Sequence, residues 1–297
     1  MKGAIEMMKR ATIGDRWFNV INGTLLILFA LVTILPIIHV FAMSFATVEE
    51  TLSGKFILWP SEWTTEAYKY IFDTGVFFLS LKNTVWITVV GTVINVIVTA
   101  LLAYVCSRQQ FSARRVVMFL VLFTMLFGGG MIPTYLVVKG TGLINSLWAL
   151  ILPGAVSAFN MLVMRDFFES LPEELIEASR IDGCGDLRIL WRIVMPLSLP
   201  ILATFTLFYA VGNWNQYFSA ILYLNDPDKW PLQILLRQVV LVGQADIYSN
   251  LDPTVPIPPS LSIQMATVVL ASFPIVVLYP FLQRYFVQGL TLGGVKG

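Results

Sequence analysis

The run Asn213-Trp214-Asn215-Gln216-Tyr217 sets amides beside aromatic planes. That mixture suits a solute with hydroxyls to hydrogen-bond and C–H faces to stack on, which is the chemistry of a sugar ring. The run closes a stretch, 199–224, that contains no Asp, Glu, Lys or Arg. If that stretch lies in hydrocarbon, its amides must turn toward neighbouring helices or a wet cavity, because an unpaired amide is costly there. Helix–helix adhesion with an ordinary interfacial aromatic is the competing reading of the same residues. Asn160 is a further candidate for the solute pathway, and Asn95 and Gln264 fit adhesion better. Nothing else has the look of a reaction centre. His39 is the sole histidine, and Cys106 and Cys184 are the two cysteines. No His-Glu-x-x-His occurs, nor a Gly-x-x-x-x-Gly-Lys-Ser/Thr to cradle phosphate.

A second constellation lies in 165–198. Seven acidic residues (Asp166, Glu169, Glu173, Glu174, Glu177, Asp182, Asp186) outnumber four arginines (Arg165, Arg180, Arg188, Arg192) there. Helices that merely lie on anionic lipid are normally basic on their polar side. An acidic pair is better suited to docking on a soluble protein. The local pattern is a helix–turn–helix. Ser170-Leu171-Pro172-Glu173 reads as a capping box, helix formers run on to Ser179, and Gly183 and Gly185 stop the helix and turn the chain. A second helix over about 186–194 would place Leu187, Leu190, Trp191 and Val194 on one face, with Arg188 and Arg192 elsewhere. Pro196 and Pro200 lead into the next apolar stretch.

The elements that must position these residues are apolar. Of 297 residues 57% are hydrophobic and only 12% charged, too few charges to cover a soluble globule of this length. Six windows carry no charge at all: 18–43, 83–106, 116–138, 144–164, 199–224 and 262–283. About 20 residues of helix cross the hydrocarbon core, and helices satisfy their own backbone groups in lipid. An all-α integral membrane protein with six transmembrane helices is expected. Thirteen Lys and Arg fall in one set of alternate connecting segments and six in the other, which puts both termini in the cytoplasm. The expected organisation is a cytoplasmic N-terminus (1–17), one transmembrane domain (18–287) and a cytoplasmic tail (288–297). The first apolar window is longer than a secretory h-region and lacks a small-residue cleavage pattern, so it reads as retained. Both cysteines fall near the cytoplasmic side, where a disulfide is not expected. In the external segment 225–261, Pro231 to Val242 fits a short helix lying at the outer interface or re-entering it. Gly128 to Gly130 interrupts the third window near its middle.

A pump driven by an ion gradient needs ionisable groups inside the membrane. These windows have none, and His39 near the outer end of the first fits packing better than proton relay. With no motor of its own, such a transporter needs a docking surface for one. A near-neutral net charge of +1 gives no field for nucleic acid.

Glu177-Ala178-Ser179-Arg180-Ile181-Asp182-Gly183, nine residues, then Ile193-Val194-Met195-Pro196 closely resembles the EAA loop of binding-protein-dependent ABC importer permeases. That pattern is Glu-Ala-Ala, three residues, Gly, nine residues, Ile-x-Leu-Pro. Ser179 replaces the second Ala and Met195 the Leu. The end, Gln288 to Gly297, is similar to the tail of maltose-type sugar permeases of the short six-span kind. Gly128 to Tyr135, with Leu152-Pro153-Gly154 through Asn160, resembles the branch found with lipoprotein binding proteins in Gram-positive bacteria. The resemblance implies a type I importer bundle in the bacterial cell membrane and a second, different permease chain. It also implies two ATPase subunits that bind ATP and Mg, an extracellular solute-binding lipoprotein, and a sugar or oligosaccharide cargo. Glu177, Ala178, Ser179, Asp182, Gly183, Ile193 and Pro196 would couple to an ATPase. The chain itself would bind no cofactor or metal and catalyse nothing. Peptide or ion permeases of this class share the EAA loop, so a non-sugar solute is the alternative. A channel or secondary transporter would show intramembrane charge or inverted repeats, and neither is found.

Overall fold

The computed structural model describes residues 13–241 and 261–277. Lys2, Lys9 and Arg10, the prolines at 253–259, the end of the sixth window and the tail from Gln288 lie outside those residues. Among the described residues the chain is helical throughout, with no strand. The described residues divide into two compact units, 13–71 with 261–269 and 72–241 with 270–277.

The first unit contains α1 (Ile13–Ser44) and α2 (Val48–Leu52), and α3 (Glu66–Asp73) begins in it. Most apolar side chains along α1, from Trp17 to Phe41, are exposed, so the helix offers a surface for lipid or another helix rather than a core. Only its end packs: Ala42, Met43, Ala46 and Ile57 form a small cluster with Leu261 and Met265. The His39 ring stacks on Phe56 at 4.2 Å, and its Nδ1 lies 2.7 Å from the Ile57 carbonyl oxygen. His39 is a packing residue, as its position implies.

The second unit is organised on α4 (Val76–Ser107). Lys82 is its single charge, and no proline interrupts it. Its buried face reads Ser80, Asn83, Thr84, Ile87, Gly91, Thr92, Asn95, Thr99, Ala100 and Ala103. Small and hydroxyl residues three or four apart let another helix come close and give it hydrogen bonds. Then come α5 (Arg114–Leu126), α6 (Met131–Gly140), a 3-10 turn (Leu147–Leu150), α7 (Ala158–Glu169) and α8 (Glu173–Ile181). A further helical run consists of α9 (Asp186–Ile189), a π-turn (Leu190–Val194) and α10 (Met195–Leu197). Next are α11 (Leu199–Trp214), α12 (Phe218–Tyr223), a 3-10 turn (Pro227–Lys229) and α13 (Leu232–Leu241). The last described helix is α14 (Leu261–Val277).

α11 lies against α4 so closely that a Cβ on Gly91 would sit 2.8 Å from Nδ2 of Asn213. Nδ2 of Asn213 donates to Oγ1 of Thr92 at 3.3 Å. Lower on the seam, the Tyr209 hydroxyl pairs with Oγ1 of Thr99 at 2.7 Å and accepts from the Ser157 backbone N–H at 3.0 Å. One phenol thereby joins α4, α11 and the N-cap of α7.

Charge-free windows and unbroken helices do not coincide. Two described helices, α1 and α4, are long and apolar enough to cross a membrane, and a bent pair, Asp186–Leu197 with Leu199–Trp214, could make a third. The third window breaks between Leu126 and Met131, where Gly130 takes φ +83°, so the interruption read from the glycine run is real. The fourth splits around Pro153-Gly154 into a 3-10 turn and α7. The fifth stops at Asn215 and resumes at Phe218. Pro231 to Val242 does contain a short helix, α13.

Tyr209→Phe leaves the Ser157 N–H and the Thr99 hydroxyl without their partner in a buried seam. We expect a loss of about 1–3 kcal/mol, seen as a lowered unfolding temperature in detergent. Gly91→Val, which drives side-chain atoms into Asn213, should lower it further. An unchanged melting temperature for both would show that the α4–α11 seam does not hold the unit together.

Candidate coupling surface and solute pathway

α8 is nine residues long, with Glu173 and Glu174 in its first turn and Arg180 in its last, the charge order its dipole favours. It ends in a full Schellman arrangement. Gly183 takes φ +78°, its N–H donates to Arg180 O at 3.0 Å, and the Cys184 N–H donates to Ser179 O at 2.9 Å. Only a residue without a Cβ holds that backbone without strain. The turn is pinned again where Nη2 of Arg180 meets Oδ1 of Asp186 at 3.1 Å.

The capping box does not form. Ser170 is still the C-cap of α7, and its hydroxyl donates to Phe167 O at 2.7 Å. α8 starts from Pro172 with no side-chain cap. The apolar face of the second helix is also different. Ile189, Leu190 and Val194 are buried, whereas Leu187 and Trp191 are exposed. The π-turn over Leu190–Val194 carries Trp191 off the expected stripe, because its wider i→i+5 turn shifts the spacing of an ordinary helix; Leu187, ahead of it on α9, faces outward as well.

Ile176 fastens α8 underneath. It is buried in one cluster with Ala103 and Tyr104 of α4, Met161, Met164 and Phe168 of α7, Ile189, Leu190 and Val194, and Leu202 and Phe205 of α11. The loop is thus part of the core that carries α4 and α11. Above that anchor, Glu173, Glu174, Glu177, Ala178, Ile181 and Asp182 face solvent, with Ile181 87% exposed. Of the other residues expected to couple, Ser179 and Ile193 are half-buried and Pro196 is exposed. Glu173 and Glu177 also line a small polar cavity of about 180 Å³ with Arg108 and Arg180. The Arg108 guanidinium lies over the Tyr104 ring at 4.7 Å, and burial pulls it below the usual guanidinium range.

After α10 the chain turns sharply. The run Asp186–Leu197 meets Leu199–Trp214 at 87°. The elbow is Ser198, fully buried between Pro196 and Pro200, each of which lacks an N–H to continue the ladder.

The amide run parts into two sets. Asn213 and Gln216 turn inward: Nε2 of Gln216 donates to Leu150 O at 2.8 Å and to Oδ1 of Asn213 at 3.0 Å. Trp214 is buried with them, and Asn160 is buried on α7. The Asn213 and Gln216 bonds join elements of the bundle. Asn215 and Tyr217 turn away. Nε2 of Gln233 reaches Oδ1 of Asn215 at 3.4 Å, and the Arg237 guanidinium lies 5.3 Å from the Tyr217 ring centroid. Both partners come from α13, which α4 fixes in place. Oγ1 of Thr84 accepts from the Leu232 N–H at 2.8 Å, and Nδ2 of Asn83 donates to Asp228 O at 2.8 Å. Reading the run alone missed Gln233 and Arg237. Their signal was one helical turn, i and i+4, on a helix the sequence does mark. Along α6, an open cavity of about 720 Å³ is lined by Gly129, Pro133, Thr134 and Val137.

Residues 96–292 match the family model described as "Binding-protein-dependent transport system inner membrane component". The chain belongs to that family. It is a non-catalytic transport subunit, and no group of metal-binding side chains occurs among the described residues. The chain is 50% identical to the polygalacturonan/rhamnogalacturonan transport system permease protein YtcP of Bacillus subtilis, over 95% of this chain and 99% of that one. It is 45% identical to Protein LplC of the same organism, over 96% and 97%. Among solved structures it is similar to a bacterial ABC transporter involved in the import of the acidic polysaccharide alginate. That likeness has a TM-score of 0.87 at 34% identity and covers 93% of this chain and 98% of that chain.

Gly183→Pro removes the N–H that closes the turn and forbids its φ, and Glu177→Lys reverses charge on the exposed face of α8. Each should abolish uptake and co-purification of the ATPase while membrane insertion stays intact, measured by transport assay and by fractionation. Normal uptake by both variants would remove the coupling role of this surface.

Proposed function

We propose that this permease is one of two different membrane subunits of an ATP-driven oligosaccharide importer, and that its cargo carries uronic acids. Residues 18–287 form its permease domain, the chain crosses the bacterial cell membrane six times, and both termini face the cytoplasm. Two ATPase subunits engage the face of α8 that carries Glu177, Ala178 and Asp182. An extracellular lipoprotein delivers the cargo.

The observation that carries the coupling role is the joint burial of Ile176, Ile189, Leu190 and Val194 with α4 and α11 side chains. A push on the exposed face of α8 therefore reaches helices of the bundle instead of being lost in a loose loop. ATP contributes through the preference of closed ATPases for one of two permease states. Packed cores are not continuously deformable, so the elbow at Ser198 transmits a rocking motion, not a bend.

The cargo reading rests on full-length likeness to YtcP of Bacillus subtilis, a permease of a polygalacturonan/rhamnogalacturonan transport system. The alginate importer, also handling an acidic polysaccharide, supports it. Charge-free windows fit a neutral sugar better when read alone. The position of Arg237 beside Tyr217 alters that balance.

The tagged chain, extracted in detergent from its native membrane, should bring down an ATPase and a second permease of similar size, identified by mass spectrometry. Recovery of the chain alone, with crosslinking from Cys184 also finding no neighbour, would overturn the importer reading.

A further inference from the structure

Arg237 is exposed on α13, and among the described residues no carboxylate forms an ion pair with it. The charged residues of 199–241 are Asp226, Asp228, Lys229 and Arg237, and Lys229 is already paired with Asp226 at 3.2 Å. Arg237 is therefore the free cation of this part of the chain. Its guanidinium is laid over the half-buried ring of Tyr217, an arrangement that holds the plane of the fork while leaving its N–H groups open. Gln233, one turn earlier on the same face of α13, meets Asn215. Two parallel contacts thus set a guanidinium, a phenol and two amides along one break between α11 and α12.

We propose that Arg237, Tyr217, Asn215 and Gln233 form a subsite that recognises the carboxylate of a uronic-acid residue in the moving oligosaccharide. It rests on the cargo reading given above. A planar fork with free donors matches a carboxylate with two parallel hydrogen bonds, which a lysine ammonium does not reproduce. The Tyr217 ring offers an apolar plane beside it for a sugar face. Asn215 and Gln233 are polar at both ends of their amides and can hold hydroxyls on either side. A neutral sugar gains little from Arg237, so this residue sorts cargo by charge. The subsite binds only weakly by design of its exposure: a site that a cargo must leave again is better open to water than sealed.

The test uses the complete complex in proteoliposomes with its own ATPases and binding protein, saturated with tri-galacturonate. Arg237→Gln should lower tri-galacturonate uptake roughly three- to fivefold, with the yield of assembled complex unchanged. Arg237→Lys should recover part of the loss, because charge returns without the fork. Tyr217→Phe should stay near wild type and Tyr217→Ala should not. Wild-type uptake should fall as salt is raised, and that dependence should flatten in Arg237→Gln. Tri-galacturonate uptake by Arg237→Gln equal to wild type would overturn the subsite and leave the cargo reading standing. A wild-type complex that imports neutral trisaccharides and no tri-galacturonate would overturn both.

Discussion

The Tyr209 hydroxyl satisfies Thr99 on α4 and the first turn of α7 from its own place on α11. In a region that excludes water, each of those polar groups would otherwise be left bare, so the three elements are held in one register. The rest of the second unit depends on that register. Above it, Gly91 and Asn213 allow α11 to approach α4 without a spacer. Below it, Leu202 and Phe205 continue the same helix into the cluster that holds the acidic loop. Without water to compete, small residues and hydrogen bonds do the work that apolar burial does in a soluble bundle.

That register also holds the short acidic loop against the long helices. α8 has few residues of its own in the core, and Ile176 is its one buried side chain. It gains rigidity by closing onto α9 through the Gly183 turn and the Arg180–Asp186 pair. The pair is exposed and contributes little energy on its own. Its use is geometric, since it spans the turn whose angle sets how α8 faces outward. The right-angle elbow at Ser198 then sets the run Asp186–Leu197 at 87° to Leu199–Trp214.

Much of this was legible from residue spacing, and the failures have physical causes. The acidic pair of helices, the stop at Gly183, the break at Gly128 to Gly130 and the helix after Pro231 all follow from local rules and are found. Ser170 misled because it obeys a capping pattern while occupying the last turn of the preceding helix, where its hydroxyl bonds backwards. Trp191 misled because a π-turn is invisible to a fixed helical period. Pro153-Gly154 divides a window whose lack of charge gave no warning. Charge depletion reports solvent, whereas helix continuity depends on backbone geometry, and the two signals are independent.

The amide run shows the same limit more sharply. By composition Asn213, Asn215 and Gln216 are equivalent, and no pattern assigns one to adhesion and another to a pathway. What separates them is direction at the end of α11: Asn213 and Gln216, three residues apart, share one side, and Asn215 and Tyr217 take another. Asn213 and Gln216 fall toward α4 and the Leu150 carbonyl, and Asn215 and Tyr217 fall toward α13. The six charge-free windows hold no cation, and one placed within hydrocarbon would carry a large desolvation cost. The economical position for a charge-reading group is therefore just outside, on an exposed helix anchored to the bundle by uncharged side chains. Asn83 and Thr84 supply that anchor, and Arg237 occupies that position.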